Sequence, residues 1–487
     1  MKMRKITLIF ALGLCLCSCG SFLDRYPTDS ANAETAIASV NDARVALNGI
    51  MRKMSDKTYY GRDFFLYGDA RGGDLTIISS GRGSDFLYTF NTSPSKYSCD
   101  DYWNTGYICL ANINNLIDNI LRLKEEGDTG YDQYLGEAYT LRAIVYFDLV
   151  RIYGLPYNYK KDSYGVPLVL DVADADSKPG RATVAEVYDQ ILADLAAGEA
   201  LMTHTKVNSY PGYYAALAEE ARVRLYKEDW TGALTCAKEI IDCGIYTLYT
   251  PAQWVQSWTT QYGSESIFEI GMDSASDIET NSLAFYYMAF GRVANASGWF
   301  LASDYFLNRL GEDPDDVRWG VMDEDEFSSK GNGTHNGACY KYSGSVDLEG
   351  DGNETFTAVN IKVIRLSEIY LIAAEAALEL GQKAKAAEYL NAIRARSVSL
   401  EPATASTVSI DMIMSERSKE FFGEGQLFFE RIRRNESIEY NDDLAGIAVS
   451  TRPKTIDRTF GKIVLPIDQN EINANPTLKD QQNEAYK

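Results

Sequence analysis

Two distant segments of the chain carry the same apolar spacing, and that repeat constrains the fold more than any other feature. In YYAALAEEARVRLYKEDWTGALTCAKEIIDCG, the residues Tyr214, Leu217, Ala218, Ala221 and Leu225 are spaced 3, 1, 3 and 4 apart. In IRLSEIYLIAAEAALELGQKAKAAEYLNAIRARS, the residues Ile369, Ile372, Ala373, Ala376 and Leu380 repeat those steps. Such spacing lays one apolar stripe along an α-helix. A second helix follows in each segment, with Leu234, Ala237 and Ile240 matching Ala387, Leu390 and Ile393. Small residues at facing positions let the paired helices approach closely.

A recurring helix pair is the mark of a helical-repeat architecture. Two more pairs fit the pattern: 133–154 with 183–202, and 41–54 with 102–123. Thr183 and Glu186 form a capping-box pattern at the start of their helix. The expectation is a mainly α fold of about four tetratricopeptide-like hairpins forming a superhelical scaffold, with long irregular loops and minor β hairpins. Residues 55–101, rich in Tyr, Gly, Ser and Asp, and 245–360, rich in Trp, Tyr, Gly and Asn, lack helical period. Loops of that length in a compact domain tend to be functional, so these stretches are expected to form the working surface.

The first residues carry a different signal. Lys2, Arg4 and Lys5 precede an apolar run from Ile6 to Cys17. That run is shorter than the roughly 20 residues a spanning helix needs, and its flanks are those of a secretory signal peptide. Leu16, Cys17, Ser18 and Cys19 resemble a bacterial lipobox, which makes Cys19 the lipidated residue and Cys15 and Cys17 part of the discarded signal. Residues 1–18 are then the signal peptide, 19–40 a lipidated tether, and 41–487 a single domain held at a membrane surface by acyl chains. Several acyl chains suffice for that at ~0.8 kcal/mol per buried methylene.

Composition removes several function classes. The net charge is −22, and loss of residues 1–18 makes the balance more acidic still. Nucleic acid is therefore a poor partner, because phosphate binding needs Lys and Arg. Of eight cysteines, Cys99, Cys109, Cys236, Cys243 and Cys339 remain beside Cys19. None forms a C-x-x-C, and no disulfide framework is expected. Only two histidines are present, His204 and His335, which excludes a multi-histidine metal site within one chain. Gly-x-Ser-x-Gly, P-loop and His-Glu-x-x-His motifs are absent, which counts against a hydrolase, and no catalytic residues are assigned.

Five motifs then occur in order. Cys19 is followed by Phe22-Leu23-Asp24 and Pro27. RIYGLPYNYKKDSYGVPLVL (151–170), the hairpin RLSEIYLIAAEAALELG (365–381) with LNAIRARS (390–397), SERSKEFFGEGQLFFERIRR (415–434) and LPIDQNEINANPTLKDQQNEAY (465–486) complete the set. Together they resemble the SusD/RagB family of outer-membrane nutrient-binding lipoproteins along nearly the whole chain. Leu427 stands where that family usually has Arg, Glu430 where it usually has Asp, and Asp468 and Glu484-Ala485 depart from its tail. The resemblance implies a surface lipoprotein on the outer membrane, facing the cell exterior. It would capture a nutrient, commonly a glycan, and deliver it to a SusC-like TonB-dependent transporter. A peptide ligand on the same architecture, or a helical scaffold without a small ligand, remain alternatives.

Candidate residues follow from the chemistry of sugars, whose apolar C–H faces stack on aromatic rings while polar neighbours fix the hydroxyls. Trp299 follows Gly298 in a polar stretch and is the leading candidate, with Tyr286, Tyr287 and Asn295 nearby and Tyr67, Tyr59 and Tyr60 on the first irregular stretch. Trp254 and Trp258, spaced as one helix face, read as core. The acidic and basic residues of 415–434 read as structural ion pairs. Asp347, Glu349 and Asp351 resemble the first half of a calcium loop, but Ala358 occupies the position where such a loop carries Glu; a solvated acidic turn is the competing reading. No other cofactor is implied.

Overall fold

The computed structural model describes residues 37–81, 83–173, 176–272, 282–291, 296–328, 333–342 and 360–487. Cys19, Asn295 and the acidic segment Asp347, Glu349 and Asp351 lie outside these. The helices of eight or more residues are α1 (Val40–Met54), α2 (Asp63–Arg71), α3 (Asp100–Glu125), α4 (Asp132–Tyr153), α5 (Val184–Glu199), α6 (Tyr213–Tyr226), α7 (Trp230–Asp242), α8 (Leu366–Glu379), α9 (Lys383–Arg394), α10 (Ile410–Glu420) and α11 (Leu427–Arg434). Helix α1 packs on α3, α4 on α5, α6 on α7, and α8 on both α7 and α9. Both repeated segments are therefore helical hairpins, as their spacing predicts. Ala373, Ala374, Ala376 and Ala377 of α8 are fully buried, which explains the small residues: α8 is clasped from two sides.

Thr183 caps α5 as read from the sequence. Its hydroxyl accepts from the Glu186 N–H at 3.2 Å, and Glu186 accepts from the Thr183 N–H at 2.8 Å. Thr183→Ala is expected to cost about 1 kcal/mol, read as a lower urea midpoint. No helix among the described residues is long and apolar enough to cross a membrane. No disulfide joins the five cysteines from Cys99 to Cys339.

Strands are short and serve to tie distant segments together. β1 (Leu75–Ile77), β2 (Ser266–Ile270), β3 (Phe300–Ala302) and β4 (Ile361–Arg365) form two antiparallel pairs. In one, Leu75 faces Ala302 and Ile77 faces Phe300. In the other, Ser266 faces Arg365 and Ile270 faces Ile361. The β1–β3 ladder brings the two aromatic-rich irregular stretches side by side.

Most of their aromatic residues do not form a surface. Tyr59, Tyr60, Tyr67, Tyr286, Tyr287, Trp254, Trp258, Tyr340 and Tyr342 are all buried. The tyrosine hydroxyls among them find internal partners, which is what makes tyrosine acceptable in a core. Tyr59 and Tyr60 both donate to Asp148 Oδ2 at 2.6 Å, and their rings stack 4.4 Å apart.

Residues 415–434 are also interior. Glu420 on α10 faces Arg365 at 2.9 Å and also contacts Arg396. Arg365 forks onto Glu424, with both bonds at 2.9 Å. Glu416 takes Arg318 at 2.9 Å and Lys419 at 2.8 Å. Arg433 of α11 grips Glu375 of α8 at 2.5 and 2.8 Å. These pairs are structural, as the sequence suggested, but they are buried, and all except Glu416–Lys419 are long-range, rather than arrayed on a solvated helix face.

The network sets the pH response. Burial alone would raise Glu375 and Glu420, but surrounding arginines outweigh it. Arg433, Arg417 and Arg434 hold Glu375 at about 2, and Arg396, Arg365 and Arg318 hold Glu420 well below the carboxylate range. Each contributes stability that is present above the unfolded value and lost as pH falls through the folded one. Asp69 and Glu219 have the opposite sign, because burial raises each to about 7. They bind a proton in the folded state that the unfolded chain releases. The urea midpoint is expected to rise modestly from pH 7.5 toward 5 and then to fall steeply below about 4.5.

Candidate functional site

Trp299 lies immediately before β3, and its carbonyl accepts from the Ile78 N–H just past β1. The ladder therefore fixes the backbone on which the indole stands. The ring is half-buried and braced edge-on by Tyr286 at 5.1 Å and 81°, and by Phe285 at 6.0 Å and 72°. Phe285 is itself half-buried, while Phe290, a few residues on, is 72% exposed.

Polar groups border this aromatic group. The Arg62 guanidinium lies 5.4 Å from the Tyr286 ring centre and bonds Asp63 at 2.6 Å. On another side, the Glu326 carboxylate accepts from the Phe290 N–H at 2.5 Å. Gly298 has φ +54°, and a β-carbon there would lie 2.5 Å from Glu326 Oε1. A side chain at that positive φ would be strained, so glycine suits the turn that presents Trp299 beside that carboxylate.

The remaining candidates divide. Tyr286 belongs to the group as a brace, with no free face. Tyr287 and Tyr67 do not belong to it. The Tyr287 hydroxyl donates to the buried Asp69 at 2.7 Å, and the Tyr67 hydroxyl donates to the Ile463 carbonyl at 3.0 Å. A ring 1–2% exposed cannot stack on a ligand, so both are corrected to core residues.

One aromatic pair escaped the sequence reading. The Phe86 and Tyr97 rings stack 4.9 Å apart at 7°, and Tyr97 is 38% exposed. Tyr97 holds φ +60°, a conformation bulky residues rarely adopt. Lys96 Nζ lies 4.6 Å from its ring centre. The loop before Phe86 is fixed by Asp85, which accepts from the Gly81 and Gly83 N–H groups at 2.7 and 3.1 Å. A β-carbon on Gly83 would lie 3.9 Å from Trp299 Cζ3, so this loop runs against the indole before reaching Phe86.

The architecture has counterparts. A family model described as the SusD family matches residues 254–486, and one described as "starch-binding associating with outer membrane" matches residues 22–225. A solved SusD superfamily protein from Bacteroides thetaiotaomicron VPI-5482 is 32% identical, with a TM-score of 0.82 over 92% of this chain and 100% of that one. The chain belongs to the SusD family. A solved putative sugar-binding protein from Bacteroides vulgatus ATCC 8482 is 29% identical, with a TM-score of 0.82 over 93% of this chain and 100% of that one. SusD-like protein P38 of Formosa agariphila is 26% identical over the full length of both chains. The two family models together take in most of the helical hairpins and Trp299, leaving residues 226–253, with α7, between them. The motifs read as SusD-like in the sequence therefore do mark this SusD-family fold.

Proposed function

We propose that this SusD-family chain is a non-catalytic capture protein that binds a glycan on the Trp299 surface and delivers it to a SusC-like TonB-dependent transporter. The observation that carries the reading is the half-exposed indole, clamped at its edge by Tyr286 and Phe285 and bordered by the Arg62–Asp63 pair and Glu326. An apolar face with charged hydrogen-bonding neighbours is what a pyranose ring needs. The sugar-binding description of the Bacteroides vulgatus relative and the starch-binding description of the matched family support the same ligand class. Under this reading Cys19 carries the lipid anchor and places the domain on the outer membrane, facing the cell exterior. Phe86 and Tyr97 extend the contact surface for a longer chain.

Affinity electrophoresis of residues 20–487 through a panel of polysaccharides tests the ligand class. Retardation by at least one glycan is the expected result. Free migration through every gel would contradict it.

A further inference from the structure

Buried guanidinium groups in this acidic chain generally meet carboxylates: Arg142 meets Asp194, Arg222 meets Glu219 and Glu368, and Arg452 meets Asp442. Two depart from that pattern, and both lie beside the C-terminal segment. Arg181 directs its donors at the carbonyls of Gly165, Tyr153, Tyr164 and Gln481 and at Asn483 Oδ1. Arg71 bonds only the Tyr67 hydroxyl and the Lys462 carbonyl, and lies over the Tyr67 and Phe90 rings. Neither has a carboxylate at ion-pair distance among the described residues. Burial without a carboxylate lowers the Arg181 guanidinium to about 10.

A cleft of about 490 Å³ opens over this region. Tyr164 and Asn483, both partners of Arg181, form part of its wall. Tyr159, Lys160, Arg458 and Phe460 form more of it. Lys160 and Arg458 converge on one ring, 5.4 and 5.0 Å from the Tyr159 centre. Neither makes an ion pair among the described residues. Two acids also line the cleft. Glu484 is neutralised by Lys487 at 2.6 Å, and Asp162 is exposed to solvent. Tyr164 is 42% exposed and offers an aromatic wall. The cleft shares no residue with the Trp299 group.

We propose that this cleft is a second saccharide site, selective for an acidic sugar: a pyranose bearing a carboxylate or a sulfate. The anion sits between Lys160 and Arg458, with the buried Arg181 behind the wall that Tyr164 and Asn483 form, and the ring packs on Tyr164 and Phe460. Charge-assisted bonds to ionised donors are about twice as strong as neutral ones, and a cation without a local counter-ion is favoured by an incoming anion. The proposal rests on the saccharide reading above but uses different residues.

The test is a calorimetric titration of the protein with trigalacturonate, a sulfated galactotriose and neutral galactotriose. Wild type is compared with the Lys160→Ala/Arg458→Ala double variant and with Trp299→Ala. At least one acidic trisaccharide should bind tenfold or more tightly than the neutral one. The double variant should lose that advantage, Trp299→Ala should keep it, and 0.5 M NaCl should weaken it. Preference for trigalacturonate identifies a uronate site, and preference for the sulfated sugar a sulfate site. Both substituted side chains are free of ion pairs, so the fold is expected to hold, with circular dichroism as the check. Equal binding of neutral and acidic sugars, no binding of either acidic sugar, or an undiminished double variant would overturn the proposal. Failure of the Trp299 reading shows instead as free migration of wild type through every polysaccharide gel, which this titration leaves untouched.

Discussion

Glu420→Ala is expected to remove about 3–5 kcal/mol of stability, read as a large fall in the urea midpoint. Glu420 is fully buried and lies among Arg365, Arg396 and Arg318. Its removal leaves three interior guanidinium groups short of one counter-charge, and the Trp254 indole N–H, 3.4 Å from Glu420 Oε1, short of its acceptor. Each charge has already lost its hydration, so no solvent shell replaces the missing partner. The exposed pair Lys385–Glu388 is the contrast. Glu388→Ala is expected to change stability by less than about 1 kcal/mol, because water screens that pair in both states. A Glu420→Ala effect as small as that of Glu388→Ala would show that the buried network does not hold the hairpins to the loop-bearing half.

The helical hairpins were legible because a helix stripe is a local pattern: Leu217, Ala218 and Ala221 mark one face without reference to any other part of the chain. The ion network was legible only in kind. Glu420 reaches back to Arg365 and Arg396, and Arg433 to Glu375, pairings fixed by how α8, α10 and β4 pack rather than by spacing. For that reason 415–434 reads as a charged helix in sequence and is interior in structure. Tyrosine misled for a related reason. Tyr67 and Tyr287 fall in stretches without helical period, which suggests exposure, but their hydroxyls meet Ile463 and Asp69, which are remote in sequence. Trp299 stands out in the sequence because Gly298 before it signals a turn that presents the next side chain. Phe86 and Tyr97 carried a comparable signal in GRGSDF and SPSKYS, where aromatics follow turn residues. The SusD-family motifs, by contrast, were readable as a set because each of the five keeps its place along the chain.

Trp299→Ala is expected to weaken glycan binding by about 30-fold or more, equivalent to about 2 kcal/mol. The indole is partly exposed on the backbone that the β1–β3 ladder fixes, and the two rings that brace it cannot take its place. Tyr286 is buried edge-on behind it, and Phe285 is half-buried. Truncation removes the stacking surface and leaves the Arg62–Asp63 pair and Glu326 to hold hydroxyls on a ring that nothing supports. Stability should change little in comparison, since the indole is already partly in water. Tyr287→Phe is the matching control: it deletes the hydroxyl that faces Asp69 and should alter stability without altering affinity.

The central claim is that this SusD-family chain captures saccharide on the Trp299 surface. The most direct measurement is a titration of wild type and Trp299→Ala with one oligosaccharide prepared from whichever polysaccharide retards the protein. The account predicts saturable binding by wild type and a loss of about 30-fold or more in the variant, with both proteins unfolding at similar urea concentrations. Equal affinity of the two proteins would place the saccharide elsewhere and contradict the account.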